Sequence, residues 1–149
     1  MDNIEIIKLF IFYIVYGILK LRTVYNIYRE RFNMWDVNFY RTKDNIAPVE
    51  LFLRELDVKM RAKALQELKI LEEFGTQLRE PYSKPIQDGI FELRIKQSSN
   101  ISRIFYFFHS GNKIILTNGF IKKTQKTPKS EIQKAIKYKE DFERRHNNE

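Results

Sequence analysis

Cysteine is absent from the 149-residue chain, and histidine occurs only at His109 and His146. Without thiols there is no disulfide, no zinc ribbon and no cysteine nucleophile. Two imidazoles supply a histidine-based metal site or a Ser–His–Asp triad poorly. Carboxylates do not fill the gap, because the spacing of Asp36, Asp88 and Glu92 matches no metal-binding loop. No metal and no other cofactor is expected. No internal repeat or low-complexity tract breaks the chain.

A membrane-spanning run is missing as well. Leu9–Leu19 (LFIFYIVYGIL) is apolar throughout but bounded by Lys8 and Lys20, and as a helix it covers about 16 Å, roughly half a bilayer core. Spanning length at Tyr28 is reached only by taking in Lys20 and Arg22. Asp2 and Glu5 make the start acidic, and no small-residue cleavage site follows, so a secretory signal is a poor match. Val24, Tyr25, Ile27 and Tyr28 continue an amphipathic pattern opposite Arg22, Arg29 and Arg31. Three accounts of residues 1–33 stand: a docking helix, a membrane-surface anchor through residues 4–28, or upstream codons ahead of a start at Met34. The third is preferred, because residues 34–149 read as a complete domain.

What is present is a core and a charge. Hydrophobic residues make up 43% and aromatics 14% of the chain, enough for one packed domain. The formal charge is +8 and the pI about 9.6. That balance favours a polyanionic partner, nucleic acid or an acidic protein, through an attraction that salt weakens.

From Met34 onward the periodicity predicts a strand at Trp35–Tyr40, then a helix opened by Pro48 with Leu51, Phe52 and Leu56 on one face. A second helix, Lys59–Phe74, buries Met60, Ala64, Leu68 and Leu71 and stops at Gly75; the two helices form a hairpin hinged near Asp57. Tyr82–Asp88 reads as a loop. Strands follow at Ile90–Lys96, Ser102–Phe108 and Lys113–Ile121, with Ser110-Gly111-Asn112 as a hairpin turn. In the first of them Phe91, Leu93 and Ile95 form a buried face, and Glu92, Arg94 and Lys96 a wet one. A last helix, Pro128 to about Arg145, is capped by Thr127 and turns Ile132, Ala135, Ile136 and Phe142 inward. The predicted order is β-α-α-β-β-β-α, an α+β domain with a small, mainly antiparallel sheet.

The strand exits are basic. GFIKKTQKTP (Gly119–Pro128) places Lys122, Lys123 and Lys126 on irregular backbone beyond a buried strand, where a rigid scaffold often holds binding and catalytic groups. Arg103 opens the apolar run IFYFF, and Arg94 and Lys96 belong to the preceding strand. Paired as sequential hairpins, these strands would bring Arg94, Arg103 and the lysine pair to one face. Singly, each residue reads as solvation of an exposed surface. Arg103 could simply meet Glu92 in a surface ion pair worth at most about 1 kcal/mol. Glu140, Asp141, Arg144 and Arg145 read as a solvated helix face, and His109 as a turn residue.

KPIQDGIFELRI (Lys84–Ile95), SRIFYFF (Ser102–Phe108) and NGFIKKTQKTP (Asn118–Pro128) together resemble the RelE/HigB-type toxins of bacterial type II toxin–antitoxin modules, in the phage-derived branch of that superfamily. WDVNFYRTKDNIAPVELFL (Trp35–Leu53) is similar to the family's opening strand and first helix. The resemblance runs from about Met34 to Arg145. It implies a RelE-like fold and a cytoplasmic, metal-independent endoribonuclease that cuts mRNA on the ribosome. It further implies silencing by a helix-turn-helix antitoxin of the HigA kind. Carried over, Arg103 matches the arginine that contacts the scissile phosphate, and Lys122 or Lys123 the basic residue at the strand exit. Arg94, Lys96 and Lys126 fall where substrate is held. Relatives add a tyrosine near the start of the last helix, or a histidine pair, for proton transfer; Pro128 and Lys129 stand in that region here. A gyrase-inhibiting toxin of the ParE branch and a non-catalytic RNA- or ribosome-binding module are the alternatives.

Overall fold

The computed structural model describes residues 21–147, and the apolar run Leu9–Leu19 lies outside them. The chain divides into two units after Met34. In the first, helix α1 spans Leu21–Arg31 and leaves Tyr25, Ile27 and Tyr28 exposed. Among the described residues no helix is long and apolar enough to cross a membrane.

In the second unit, β1 (Asp36–Phe39) is followed by α2 (Pro48–Glu55) and α3 (Val58–Phe74). Then come β2 (Ser83–Pro85), β3 (Phe91–Gln97), β4 (Asn100–His109), β5 (Lys113–Ile121) and α4 (Lys129–His146). The five strands form one sheet in the order β1-β5-β4-β3-β2. Only the β1–β5 pair is parallel. This is the expected α+β architecture with one strand added. Residues 83–85 pair with β3 as an edge strand, where Pro81 and Pro85 had suggested only a loop. Proline at the sheet edge forfeits no interior ladder bond, so the punctuation and the strand coexist.

Asp57 accepts a hydrogen bond from Met60 N at 3.0 Å and caps α3. Arg61 reaches back to the carbonyls of Leu53 and Leu56, at 2.8 and 2.9 Å, filling acceptors left open at the end of α2. Gly75 ends α3 at φ 48, and a Cβ there would fall inside the Trp35 indole. The stripe Met60, Ala64, Leu68 and Leu71 is buried as expected. On α2 the buried stripe is Val49, Leu53 and Leu56, whereas Leu51 is exposed. The predicted face is thus rotated by about a quarter of a turn: Leu56 and Phe52 still pack against the core, and only Leu51 turns outward.

Each sheet face has its own core. Against α2 and α3 lie Leu93, Ile95, Ile104, Tyr106, Ile114 and Leu116. Against α4 lie Ile90, Phe105, Phe107, Ile115 and Phe120, with Tyr40 and Ala135. Fully burying a Leu, Ile or Phe stabilises by roughly 1.5–3 kcal/mol, so helices on both faces give this small domain two hydrophobic layers. The supposedly wet face of β3 is therefore covered in part. Glu92 is only 2% exposed.

The last helix also departs from expectation in two places. Thr127 does not cap it: the N-cap position is Pro128, with no side-chain bond, and the Thr127 hydroxyl points to the sheet. Asp141 is not on a solvated face either. It accepts from Tyr40 Oη at 2.8 Å and pairs with Arg144 and Arg145 at 2.8 and 2.7 Å. Arg145 also lies 5.4 Å from the Tyr40 ring centre. The end of α4 is thereby fastened to the end of β1.

Candidate functional site

Register decides which charged side chains meet. Arg94 and Arg103 stand directly opposite each other on β3 and β4, and Lys84 stands opposite Glu92 on β2 and β3. Cross-strand partners share a face, and residues two apart do too. Lys84, Glu92, Arg94 and Arg103 therefore all project from the α4 side of the sheet.

Lys122 joins them because β5 is irregular. Near the hairpin turn Phe107 pairs with Ile115 and Tyr106 with Leu116, whereas beyond the irregularity Ile104 pairs with Gly119 and Arg103 with Phe120. Thr117 and Asn118 thus both oppose Phe105, which is a β-bulge. One extra residue inverts the facing of everything after it. Without the bulge Phe120 and Lys122 would point toward the helical hairpin; with it they share the face of Arg103. The bulge is anchored by polar bonds. Thr117 Oγ1 donates to Asn118 Oδ1 at 2.8 Å, and Asn118 Nδ2 donates to Glu131 Oε2 at 2.9 Å. Lys122 N then donates to Ile101 O at 2.8 Å, carrying the pairing one residue past the strand.

The centre of the cluster is a carboxylate. Glu92 Oε1 accepts from Arg103 Nε at 3.0 Å and from Arg94 Nε at 3.3 Å, while Oε2 accepts from Thr127 Oγ1 at 2.8 Å. Arg103 is 7% exposed, so this is a buried pair and not the surface ion pair expected. Its Nη1 donates to Ser102 O at 3.1 Å, and its Nη2 meets no acceptor among the described residues. Burial, with Arg94 adding to it and Glu92 opposing, brings the Arg103 guanidinium below its ordinary pKa; an arginine remains charged under such pressure. Burial lowers the Lys122 ammonium as well, followed by the charges of Arg103, Arg94 and Lys84 against the opposing pull of Glu92. The groups acting on Lys122 are the residues that register places around it.

Of the predicted site residues, Arg94, Arg103 and Lys122 converge. Lys96 shares their face one step toward the β3–β4 turn and is exposed. Lys123 is exposed and lines a groove of about 440 Å³ with Ile101, Lys122, Thr124 and Gln125. Lys126 sits at an exposed bend where Thr124 Oγ1 donates to its carbonyl at 2.9 Å. Arg103 is not at the opening of its strand: the turn is only Ser98–Ser99, so β4 begins at Asn100 and Arg103 lies inside it.

Three participants were not anticipated. Lys84 was hidden by the loop reading of its segment. Glu92 was placed at the surface, although an acid alternating with arginine and lysine on one strand face was the available signal. Thr127 was read as a helix cap. Neither imidazole joins the cluster, since His109 and His146 pack on the Phe142 ring, His109 at the turn end of β4. Among the described residues no group of three or more acidic or imidazole side chains is arranged to hold a metal.

A five-stranded, mostly antiparallel sheet with a helical hairpin on one face and a terminal helix on the other is a small RelE-like α+β domain, here with a cationic cluster at its strand exits. Residues 51–140 match the family described as Phage derived protein Gp49-like (DUF891). The chain belongs to that phage-derived Gp49-like family, a RelE/HigB-like toxin family of toxin–antitoxin modules. The matched span holds every member of the cluster, from Lys84 to Thr127. No curated protein matches the chain.

Proposed function

We propose that the protein is the toxin of a type II toxin–antitoxin module and an endoribonuclease that cleaves mRNA on the ribosome, without a metal, in the cytoplasm. One observation carries this reading: Arg94, Arg103, Lys84 and Lys122 surround a single point on one sheet face. Such a point suits one phosphodiester.

RNA brings its own nucleophile, the 2′-hydroxyl beside the scissile phosphate. The enzyme has only to align that group and to stabilise charge building on the non-bridging oxygens. Arg103 is suited to the second task, because a guanidinium offers planar donors to phosphate and its Nη2 is uncommitted among the described residues. Lys122 is suited to the first: in its neutral form Nζ takes the 2′-proton. The 2′-oxygen bonds to phosphorus and the bond to the 5′-oxygen breaks. The leaving oxygen takes a proton from solvent, giving a 2′,3′-cyclic phosphate and a 5′-hydroxyl. Arg94, Lys84, Lys96, Lys123 and Lys126 hold flanking phosphates. DNA binds and stays intact.

Residues 34–149 carry the activity, and residues 1–33 are an extension outside it. A helix-turn-helix antitoxin of the HigA kind silences the toxin, as the family's place in toxin–antitoxin modules supports. The test is cleavage of ribosome-bound mRNA by purified protein in EDTA. Arg103→Ala is expected to lose at least about a hundredfold in rate while keeping its circular dichroism. Full activity in a folded Arg103→Ala protein refutes the assignment. Intact mRNA with arrested replication would point to the gyrase-inhibiting branch instead.

A further inference from the structure

A carboxylate at the centre of a phosphate site is an unexpected choice. It repels the substrate, and burying it is costly unless its partners are complete. The rest of this face is filled with apolar side chains such as Ile90 and Phe105. Glu92 nevertheless lies 2% exposed between two arginines whose direct opposition is itself unfavourable.

Its two oxygens have separate duties. Oε1 holds Nε of Arg103, which fixes the plane of the guanidinium while leaving Nη2 without an acceptor among the described residues. Oε2 accepts from Thr127, across 35 positions of sequence, at the far end of the irregular segment that begins with Lys122. That segment is otherwise tied by the Lys122 N to Ile101 O bond at its start and the local Thr124 to Lys126 bond inside it. Arginine on a strand and lysine on a loop would drift independently without a common anchor.

We infer that Glu92 is a positioning residue: one oxygen aims the Arg103 guanidinium, the other holds the Lys122–Pro128 loop, and a single buried carboxylate sets both halves of the phosphate site. The consequence for RNA cleavage rests on the nuclease reading above; the coupling itself does not. The charged groups facing Lys122 are Lys84 on β2, Glu92 and Arg94 on β3, and Arg103 on β4.

The experiment compares Glu92→Gln, Thr127→Val and the double variant in two measurements. In steady-state cleavage of ribosome-bound mRNA, Glu92→Gln is expected to lower kcat by about ten- to a hundredfold, the range for small misplacement of reacting groups. KM does not rise, since a repelling charge has gone. Thr127→Val moves kcat the same way by less, and the double variant is no worse than Glu92→Gln, because both cut one link. A merely structural residue would lower the folded fraction and leave KM and the per-molecule kcat alone. In the second measurement, hydrogen exchange of the Arg103 Nε–H and of amides 122–127 is followed by NMR. Both are expected to exchange faster in Glu92→Gln, and the loop amides faster in Thr127→Val, which carries this arm should Glu92→Gln not fold. Unchanged exchange, an unchanged kcat in Glu92→Gln, or fully multiplicative effects would overturn the inference. Wild-type protein that cuts no RNA, with loop exchange still quickened by Thr127→Val, would refute the nuclease reading and leave the coupling standing.

Discussion

The Phe52 ring fills the space that a side chain at position 119 would need: a Cβ on Gly119 would lie 2.2 Å from Phe52 Cδ1. Gly119 follows the bulge on β5, so this contact clamps α2 onto the strand just before it delivers Lys122. Gly119→Ala is expected to cost about 1–3 kcal/mol by overpacking. In a Phe52→Ala background the same change should cost little, since the ring is gone. Urea unfolding of the four proteins checks the cycle, and an equal cost in both backgrounds would remove the clamp.

Arg94 is partly exposed and bonds both Glu92 and Glu80, at 3.3 and 3.4 Å. Its loss should leave the fold intact and remove one phosphate contact. For single-stranded RNA the slope of log affinity against log salt is then expected to shrink by about 0.7 in Arg94→Ala. Fluorescence anisotropy of an uncleavable, 2′-deoxy-substituted oligonucleotide across a salt series measures it. An unchanged slope would take Arg94 out of the RNA-binding surface.

A lysine in the general-base role proposed for Lys122 has to be neutral, so that proposal predicts cleavage that rises with pH. Because burial and the surrounding cations lower its pKa, the midpoint of that rise is expected below the ordinary lysine value of 10.5. Lys122→Met should flatten the pH dependence as well as reduce the rate by about 10²–10⁴-fold. A pH–rate profile in which the rising limb survives that substitution would assign the limb to another group.

Tyr40 is buried and donates to Asp141; burial and that carboxylate push its pKa up to about 12. A raised folded-state value means a contribution that is complete below the unfolded value of 10.0 and lost as pH climbs through about 12. The bond from Tyr40 and the pairing with Arg144 hold Asp141 below the ordinary carboxylate value. That contribution has the opposite sign and is lost in acid. Tyr40→Phe should destabilise at neutral pH by about 1.5–3 kcal/mol and lose the extra fall in stability between pH 10 and 12. Denaturant midpoints measured against pH for both proteins decide it; parallel curves above pH 10 would contradict the assignment.

Much of the architecture was legible because its signals are local. Helix-period stripes on Met60–Leu71, alternation on Phe91–Ile95, and Gly111-Asn112 in the left-handed turn region each depend on a few neighbouring residues. The short edge strand at Ser83–Pro85 was not legible, since proline there reads the same in a loop and at a sheet edge. The site was legible in part. Arg94, Arg103 and Lys122 could be named from charge at strand positions, and the Glu92–Arg103 pair from the hairpin, but its burial and the links to Lys84 and Thr127 could not, because they depend on groups distant in sequence.

The sequence by itself determined the order of the elements other than the edge strand, the apolar stripe of the second helix and the excess of positive charge, properties that each segment carries within its own side chains. Only the tertiary structure decided that Lys122 shares a face with Arg103, because that depends on a one-residue bulge anchored by Asn118 to Glu131 on another element. Likewise only packing decided that Glu92 is an interior hub and not a surface acid. A side chain's charge is written in its identity, whereas its neighbours depend on register and on what covers the sheet.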